Sequence, residues 1–293
     1  MVELCPKFSF VEIKIEIIMQ TIAVLLTVFN RKDKTLECLK RLYNQLPING
    51  YQVDVYLTED GCTDGTPEVV ASQFPEVYII HGNGNLYWNR GMHIAWQEAA
   101  KKNYNFYLWL NDDLLLNKNS LHHILDCSKE KNNICIISGL VSSLDGTTTT
   151  YGGYKDGVKV QRTGIMQKID IMHGNFVLIP RFVFEKIGMN DPYYNHAYGD
   201  HDYSLMAKKL NIDIFTTKNY VGECNIDVKI QKCFRSDIPF ITRWQLLHTP
   251  LAYAKPNEVF YFEKKHYSLL MAIIRYVMVY IRCCFPQLWI KWK

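Results

Sequence analysis

The nine cysteines include no Cys-x-x-Cys pair, and an odd, scattered set suggests neither a disulfide framework nor a zinc site, so a reducing cytosol is the expected compartment. An uninterrupted apolar core is missing from residues 1–18, where Glu3, Glu12 and Glu16 intervene; no secretory signal peptide is expected there, and the stretch reads as a leader, an extended start before Met19. Strong charge of either sign is also lacking. A formal net charge of +4 gives no argument for a nucleic-acid partner. There is no internal repeat and no low-complexity segment. The longest apolar run, Leu269 to Phe285, stands at the lower limit of about 17 residues for a bilayer span, and Arg275 and Arg282 interrupt it.

What is present is a chain of 293 residues, 48% hydrophobic, enough for one large α/β domain over 19–254 with a C-terminal extension over 255–293. From Lys255 onward seven Lys and Arg face only Glu258 and Glu263, so the basic character belongs to the tail. Arg275 and Arg282 share one helical face while Leu, Ile, Val, Met and Tyr take the other, and Trp289, Lys291, Trp292 and Lys293 follow. The pattern predicts an amphipathic helix lying on anionic lipid, peripheral to the inner face of the cell membrane. A packed helix or a homodimer contact is the plainer alternative.

Strand and helix patterns alternate along the first half. Thr21 to Phe29 reads as a central strand, and Leu36, Leu39, Leu42, Tyr43 and Leu46 recur at helical spacing after it. Val53 to Leu57 leads into TEDGCTDGT, where Thr66 and Pro67 start a helix. Tyr78 to Ile80 precedes a glycine-rich loop and a helix carrying Met92, Ala95, Trp96 and Ala99 on one face. Repetition of this unit predicts a Rossmann-like, mostly parallel sheet flanked by helices. Further on, Ile134 to Val141 and Phe176 to Ile179 read as strands and Thr147 to Val160 as a hairpin.

The chain is organised around Phe106 to Asp113, where an apolar aromatic strand, read over Asn105 to Leu110, stops at Asn111, Asp112 and Asp113. Open α/β sheets bind ligands at the carboxyl edge of their strands. Adjacent carboxylates repel unless a cation or donors lie between them, which suggests Mg²⁺ or Mn²⁺ carrying a phosphate. The bland reading makes Asn111 and Asp112 a turn and leaves Asp113 solvated. The loops bearing Asp60, Asp64, Asn85, Asn89 and Arg90 are expected at the same edge, and that convergence favours a site.

These stretches together resemble the family 2 glycosyltransferases, inverting enzymes with the GT-A fold, over roughly residues 21–226. TVFNR at 27–31 looks like the family's first-strand edge, TEDGCTDGT at 58–66 its nucleotide loop, LNDD at 110–113 its metal motif and GDHDYSLMAKK at 199–209 the segment that delivers the base. GNGNLYWNRGM at 82–92 together with GDHDYSLMAKK looks most like rhamnosyl-type or galactofuranosyl-type transferases of bacterial surface polysaccharide synthesis. The resemblance implies a nucleotide-sugar donor held by Thr27, Phe29, Asn30, Asp60, Asn85, Trp88, Arg90, Asn111 and Asp112, with Phe29 and Asn30 against the base and Asp60 reading it. Asp113 is the implied metal ligand. Two departures stand out: Asn111 replaces the first acid of the metal motif, and the stretch 220–224 lacks the late metal-binding His of many relatives, leaving Glu223 as its candidate substitute.

Inverting transfer needs a carboxylate to take the proton of an acceptor hydroxyl, and a neutralised diphosphate to leave from the opposite face. Asp200 is the expected base, with Gly199 admitting a close approach of backbone to substrate, and Asp202 orients it or caps the helix. His173 and Asn175 are expected to touch sugar or acceptor, a glycan or lipid-linked glycan, and Asp202 stands with them on the acceptor side; a buried, satisfied His is the alternative. The rival classes are a silent carbohydrate- or nucleotide-binding protein and a sugar nucleotidyltransferase, the latter disfavoured because TVFNRKDKT lacks a glycine for a triphosphate loop.

Overall fold

A computed structural model describes residues 19–225 and 231–290. The leader, Lys291, Trp292 and Lys293 therefore lie outside the described residues, as does the side chain of Trp289. The chain opens with β1 (Gln20–Val28), α1 (Lys32–Tyr43), β2 (Tyr51–Glu59), α2 (Thr66–Gln73), β3 (Tyr78–His81), α3 (Tyr87–Ala100) and β4 (Phe106–Leu110). The middle adds β5 (Leu115–Leu116), α4 (Ser120–Glu130), β6 (Ile136–Ser142), β7 (Thr149–Tyr151), β8 (Gly153–Lys155), β9 (Val158–Lys159), β10 (Lys168–Ile169), β11 (Ile171–Met172), β12 (Phe176–Pro180) and α5 (Arg181–Ile187). After α6 (Gly199–Lys209) and β13 (Ile214–Glu223) come a 3-10 turn (Lys232–Phe234) and the helices α7 (Phe240–Leu247), α8 (Pro256–His266), α9 (Leu269–Cys284) and α10 (Gln287–Ile290).

The main sheet runs β10-β13-β6-β12-β4-β1-β2-β3. Pairing is parallel from β4 through β1 and β2 to β3, and again between β6 and β13; β12 is the antiparallel strand inserted between β4 and β6. Strand order reverses at β1, whose chain continues to β2 on one side and receives β4 on the other, so the carboxyl ends of β1 and β4 frame the crevice where such sheets bind ligands.

Period-two alternation decides the layers. In β1, Ile22, Val24, Leu26 and Val28 join the apolar cluster beneath α1, α2 and α4, whereas Ala23 and Leu25 join the one beneath α3, α5 and α6. Helix α1 supplies Cys38, Leu39 and Leu42 to the first cluster; α3 supplies Met92, Ala95, Trp96 and Ala99 to the second. A third, smaller cluster joins Cys233, Leu247 and Cys283, so the segment before residue 254 packs with α9.

Several sequence expectations shift. Helix α1 ends at Tyr43 rather than Leu46, and Asn105 precedes β4, its side-chain oxygen accepting from the Thr21 amide at 2.9 Å. The hairpin is confined to β8 and β9 around Asp156-Gly157, both at positive φ as a tight two-residue turn requires, while β7 pairs with β6. Strand β13 was not anticipated because polar residues and two register shifts break its pattern. In the tail, Arg275 and Arg282 are exposed but each has a partner within the protein: Arg275 lies 3.7 Å from Glu263 and Arg282 stacks over Phe234 at 4.5 Å. The outer face of α9 is apolar, with Leu270 66%, Ile273 48% and Val277 47% exposed. Among the described residues, no helix is long and apolar enough to cross a membrane.

Candidate active site

Asn111 follows β4, its amide donating to the Asn175 carbonyl at 2.9 Å, and its side-chain oxygen accepts the Trp88 indole N–H at 2.8 Å. The next two residues turn toward the loop after β1. Asp112 is buried, accepting from Thr35 Oγ1 at 3.3 Å, and Arg31 Nη1 lies 3.1 Å from both Asp112 Oδ1 and Asp113 Oδ2. Burial pushes the Asp112 carboxyl up to about 6; Arg31 opposes that shift and the neighbouring Asp113 charge adds to it.

Two carboxylate oxygens converging on one cationic nitrogen mark a position that suits a divalent ion. Mg²⁺ and Mn²⁺ are commonly held by one or two carboxylates plus substrate phosphate and water. No group of three or more His, Cys, Asp or Glu able to hold a metal occurs among the described residues. Asp112 and Asp113 are the two carboxylates that could take part in holding one. In the stretch that lacks the metal-binding His, it is Cys224 whose thiol senses Asp113: burial first, and then that charge, raises it to about 11. Glu223 pairs its backbone with Leu115.

The two loops beside the diacid are tied to each other. Asn30, at φ 49°, accepts from the Thr63 amide at 2.8 Å, and the Asp64 carboxylate takes the amides of Lys32 and Thr66, joining the starts of α1 and α2. Phe29 projects at the strand edge, 55% exposed, and Asn85 is exposed in the glycine-rich loop. Thr27 lies against Gly91 of α3. Asp60 is buried with its carboxylate accepting the amides of Gly84, Leu86 and Tyr87 at 2.8, 2.8 and 3.0 Å. It therefore fixes the loop that leads into α3, where Tyr87 is held at φ 58°, a costly conformation for an aromatic residue.

Helix α3 orders the opposite wall. Arg90 donates to the carbonyls of Pro192 and Tyr193, and Asn89, fully buried, donates to those of Asp191 and Tyr194, so both hold the loop before α6. A Cβ on Gly199 would sit 1.9 Å from Asn89 Oδ1; the glycine makes room for Asn89, not for a substrate as its sequence context suggested. Tyr198 is held at φ 68° at the helix start.

From there Asp200 accepts the Gly174 amide at 3.1 Å and the His201 amide at 2.8 Å, and among the described residues its carboxylate pairs with no cation. Its surroundings are neutral imidazoles. Burial lowers His173 to about 4 and lowers His196 as well, in both cases against the Asp200 charge. The Gly152 amide donates to His173 Nδ1 at 3.2 Å, which puts the proton of the neutral ring on Nε2. Asn175 is buried beside β4. Asp202 points elsewhere. Its carboxylate receives Tyr194 Oη at 3.0 Å, His266 Nε2 at 2.7 Å and Lys265 Nζ at 2.9 Å, a buried cluster clamping α6 to α8.

The site thus brings Asn111, Trp88, Gly174 and Asp200 into one continuous wall, with Asp112, Asp113 and Arg31 at its other end. The TVFNR stretch gives Arg31 no role of its own, and nothing in the sequence marks Asn89 as the anchor of the 190–199 loop.

The family model for Glycosyl transferase family 2 matches residues 23–188, most of this sheet and its first crevice. The chain belongs to that family, and its fold is GT-A. No curated protein matches it by sequence. Among solved structures it resembles a mannosyltransferase, PcManGT, from Pyrobaculum calidifontis in complex with GDP-Man and Mn²⁺ (13% identity, TM-score 0.52, 87% of this chain and 73% of that one). It also resembles GalNAc-T7 with UDP, GalNAc and Mn²⁺ (11%, 0.55, 88% and 56%) and S. aureus TarS (12%, 0.56, 89% and 55%). The chain spans just over half the length of the latter two.

Proposed function

We propose that the protein is an inverting, metal-assisted glycosyltransferase that moves a hexose or deoxyhexose from a nucleotide-sugar donor to a hydroxyl of a glycan or lipid-linked acceptor. The observation that carries this reading is Asp200, a carboxylate without a cation partner among the described residues, joined through Gly174 and Trp88 to the diacid. In the proposed reaction Asp200 accepts the proton of the attacking hydroxyl, and Gly174 and His201 orient its oxygens by their amides. Neutral His173 and His196 leave its negative charge uncancelled. Trp88 walls the space between. Asp112 and Asp113 would hold a divalent ion, which when bound supplies positive charge to the leaving diphosphate. The presence of Mn²⁺ and nucleotide ligands in two structures of the same fold supports a metal and a nucleotide-sugar donor here.

The motif at 82–92 supports a rhamnosyl-type or galactofuranosyl-type donor, and the exposed apolar face of α9 supports a peripheral place on the cytoplasmic leaflet, where a lipid-linked surface glycan would be extended. Protection against thermal unfolding by a panel of nucleotide sugars, followed by turnover with the protective ones, tests the reading. A ligand at about 100 times its dissociation constant adds roughly 2.7 kcal/mol. A protein that binds a donor yet neither hydrolyses nor transfers its sugar would instead be a silent binding protein.

A further inference from the structure

The geometry at the diacid raises a question of charge. Two carboxylates and one guanidinium leave Asp112, Asp113 and Arg31 with one net negative charge when all are ionised, and a diphosphate brought to that place would be repelled. A divalent ion would reverse the sign. Yet the point where the two carboxylate oxygens converge is already held by Arg31 Nη1, 3.1 Å from each. Nothing else fastens this guanidinium: among the described residues its only hydrogen-bond acceptors are the two aspartates, and the side chain is 48% exposed.

We infer that Arg31 is a displaceable counter-ion of the diacid, which a divalent cation must evict and which the donor's diphosphate then receives. The inference rests on the nucleotide-sugar reading above and goes beyond it by assigning the arginine two successive partners. Without nucleotide, the guanidinium competes with metal for the same two oxygens, so the metal alone binds weakly. With nucleotide, the evicted guanidinium finds phosphate oxygens, which it can grip through two parallel N–H donors. Metal and diphosphate therefore assist each other's binding, and by linkage the coupling is the same from either side. The device also keeps Asp112 and Asp113 from facing one another uncompensated in the empty enzyme.

The test is Mn²⁺ binding followed by the spectrum of the free ion, alone and with UDP, GDP or dTDP, in the wild type, Arg31→Gln and Arg31→Lys. The wild type is expected to bind Mn²⁺ weakly alone and at least tenfold more tightly with the nucleotide whose base it accepts. Arg31→Gln should bind Mn²⁺ alone several-fold more tightly than the wild type, because the competitor is gone, and should lose most of the tightening by nucleotide. Arg31→Lys, with a point charge in place of the fork, should fall between them and stands in for the Gln variant should that variant fail to fold. An Arg31→Gln protein that binds Mn²⁺ no better than the wild type, or that keeps full coupling, overturns the inference. If no nucleotide binds to the wild type, the donor reading fails by itself, while tighter Mn²⁺ binding by Arg31→Gln would still show the competition.

Discussion

The Trp88 indole donates its N–H to the side-chain oxygen of Asn111 at 2.8 Å, and the far edge of the same ring fills the space above Gly174, where a Cβ would lie 2.5 Å from Cη2. One side chain thus spans from the end of β4 to the residue whose amide holds Asp200. Trp88→Phe keeps a ring but loses the donor and the reach. Turnover should fall by about 10-fold or more, since small misplacements of reacting groups are costly, with a loss of stability near 1 kcal/mol. Steady-state kinetics beside a melting curve reads both; undiminished turnover would remove Trp88 from the positioning wall.

Asp200→Asn preserves size and one acceptor oxygen for the amides of Gly174 and His201. Without a base, kcat should drop by about 10²–10⁴-fold while nucleotide affinity stays near wild type. A helix-capping role predicts no such loss, because Asn caps as well as Asp. Turnover close to wild type would therefore reject the base assignment.

Asp202 is expected to behave in the opposite way. Asp202→Ala removes the common acceptor of Lys265, His266 and Tyr194; Lys265 keeps Asp191 at 2.8 Å, but the buried Tyr194 hydroxyl and His266 imidazole lose their acceptor, at a cost of about 1–3 kcal/mol. Denaturant unfolding measures this. Full stability with lost acceptor affinity would return Asp202 to the acceptor-binding role expected from its place in the motif.

The partly buried imidazole of His173 predicts an acid-sensitive fold. Its folded pKa is depressed to about 4, so the unfolded chain binds the proton first, and stability present above the ordinary His value of about 6.5 is lost as pH falls toward 4. The full contribution is about 3 kcal/mol. His173→Gln should flatten the curve of unfolding free energy against pH in this window; a curve as steep as the wild type's would contradict the burial argument.

On α9, Ile273→Glu combined with Val277→Glu places charge on the exposed apolar face without touching a buried residue. Binding to anionic vesicles should fall at least tenfold, whereas turnover of a water-soluble acceptor should not change. Because Arg275 and Arg282 face Glu263 and Phe234, wild-type binding is expected to respond only modestly to salt. Vesicle binding that survives both substitutions would reject the membrane face, and a change from dimer to monomer would make it a contact between copies.

Much of the frame was legible because it follows short periods in sequence. Alternating Ile22, Ala23, Val24 and Leu25 in β1 and the spacing of Met92, Ala95, Trp96 and Ala99 in α3 reveal their elements without reference to anything distant. The all-buried β4, followed at once by Asn111, likewise announces a site edge, and the acids after it point to cations and phosphate. Strand β13 escaped because its register shifts and polar residues erase the period.

Sequence by itself, then, determined the α/β layers, the crevice and the kinds of side chain gathered there, since backbone periodicity and residue chemistry are local properties. Tertiary structure alone decided how like residues divide their roles. Asp200 and Asp202 stand two apart in one helix, yet one meets amides and neutral imidazoles while the other pairs with Lys265 and hydrogen-bonds His266, both from α8. Arg31 and Asp113 are joined in the same way, across β1 and β4, which are neighbours only once the sheet has formed. Charge acts through distance in space, and that distance is set by the packing of segments far apart in the chain.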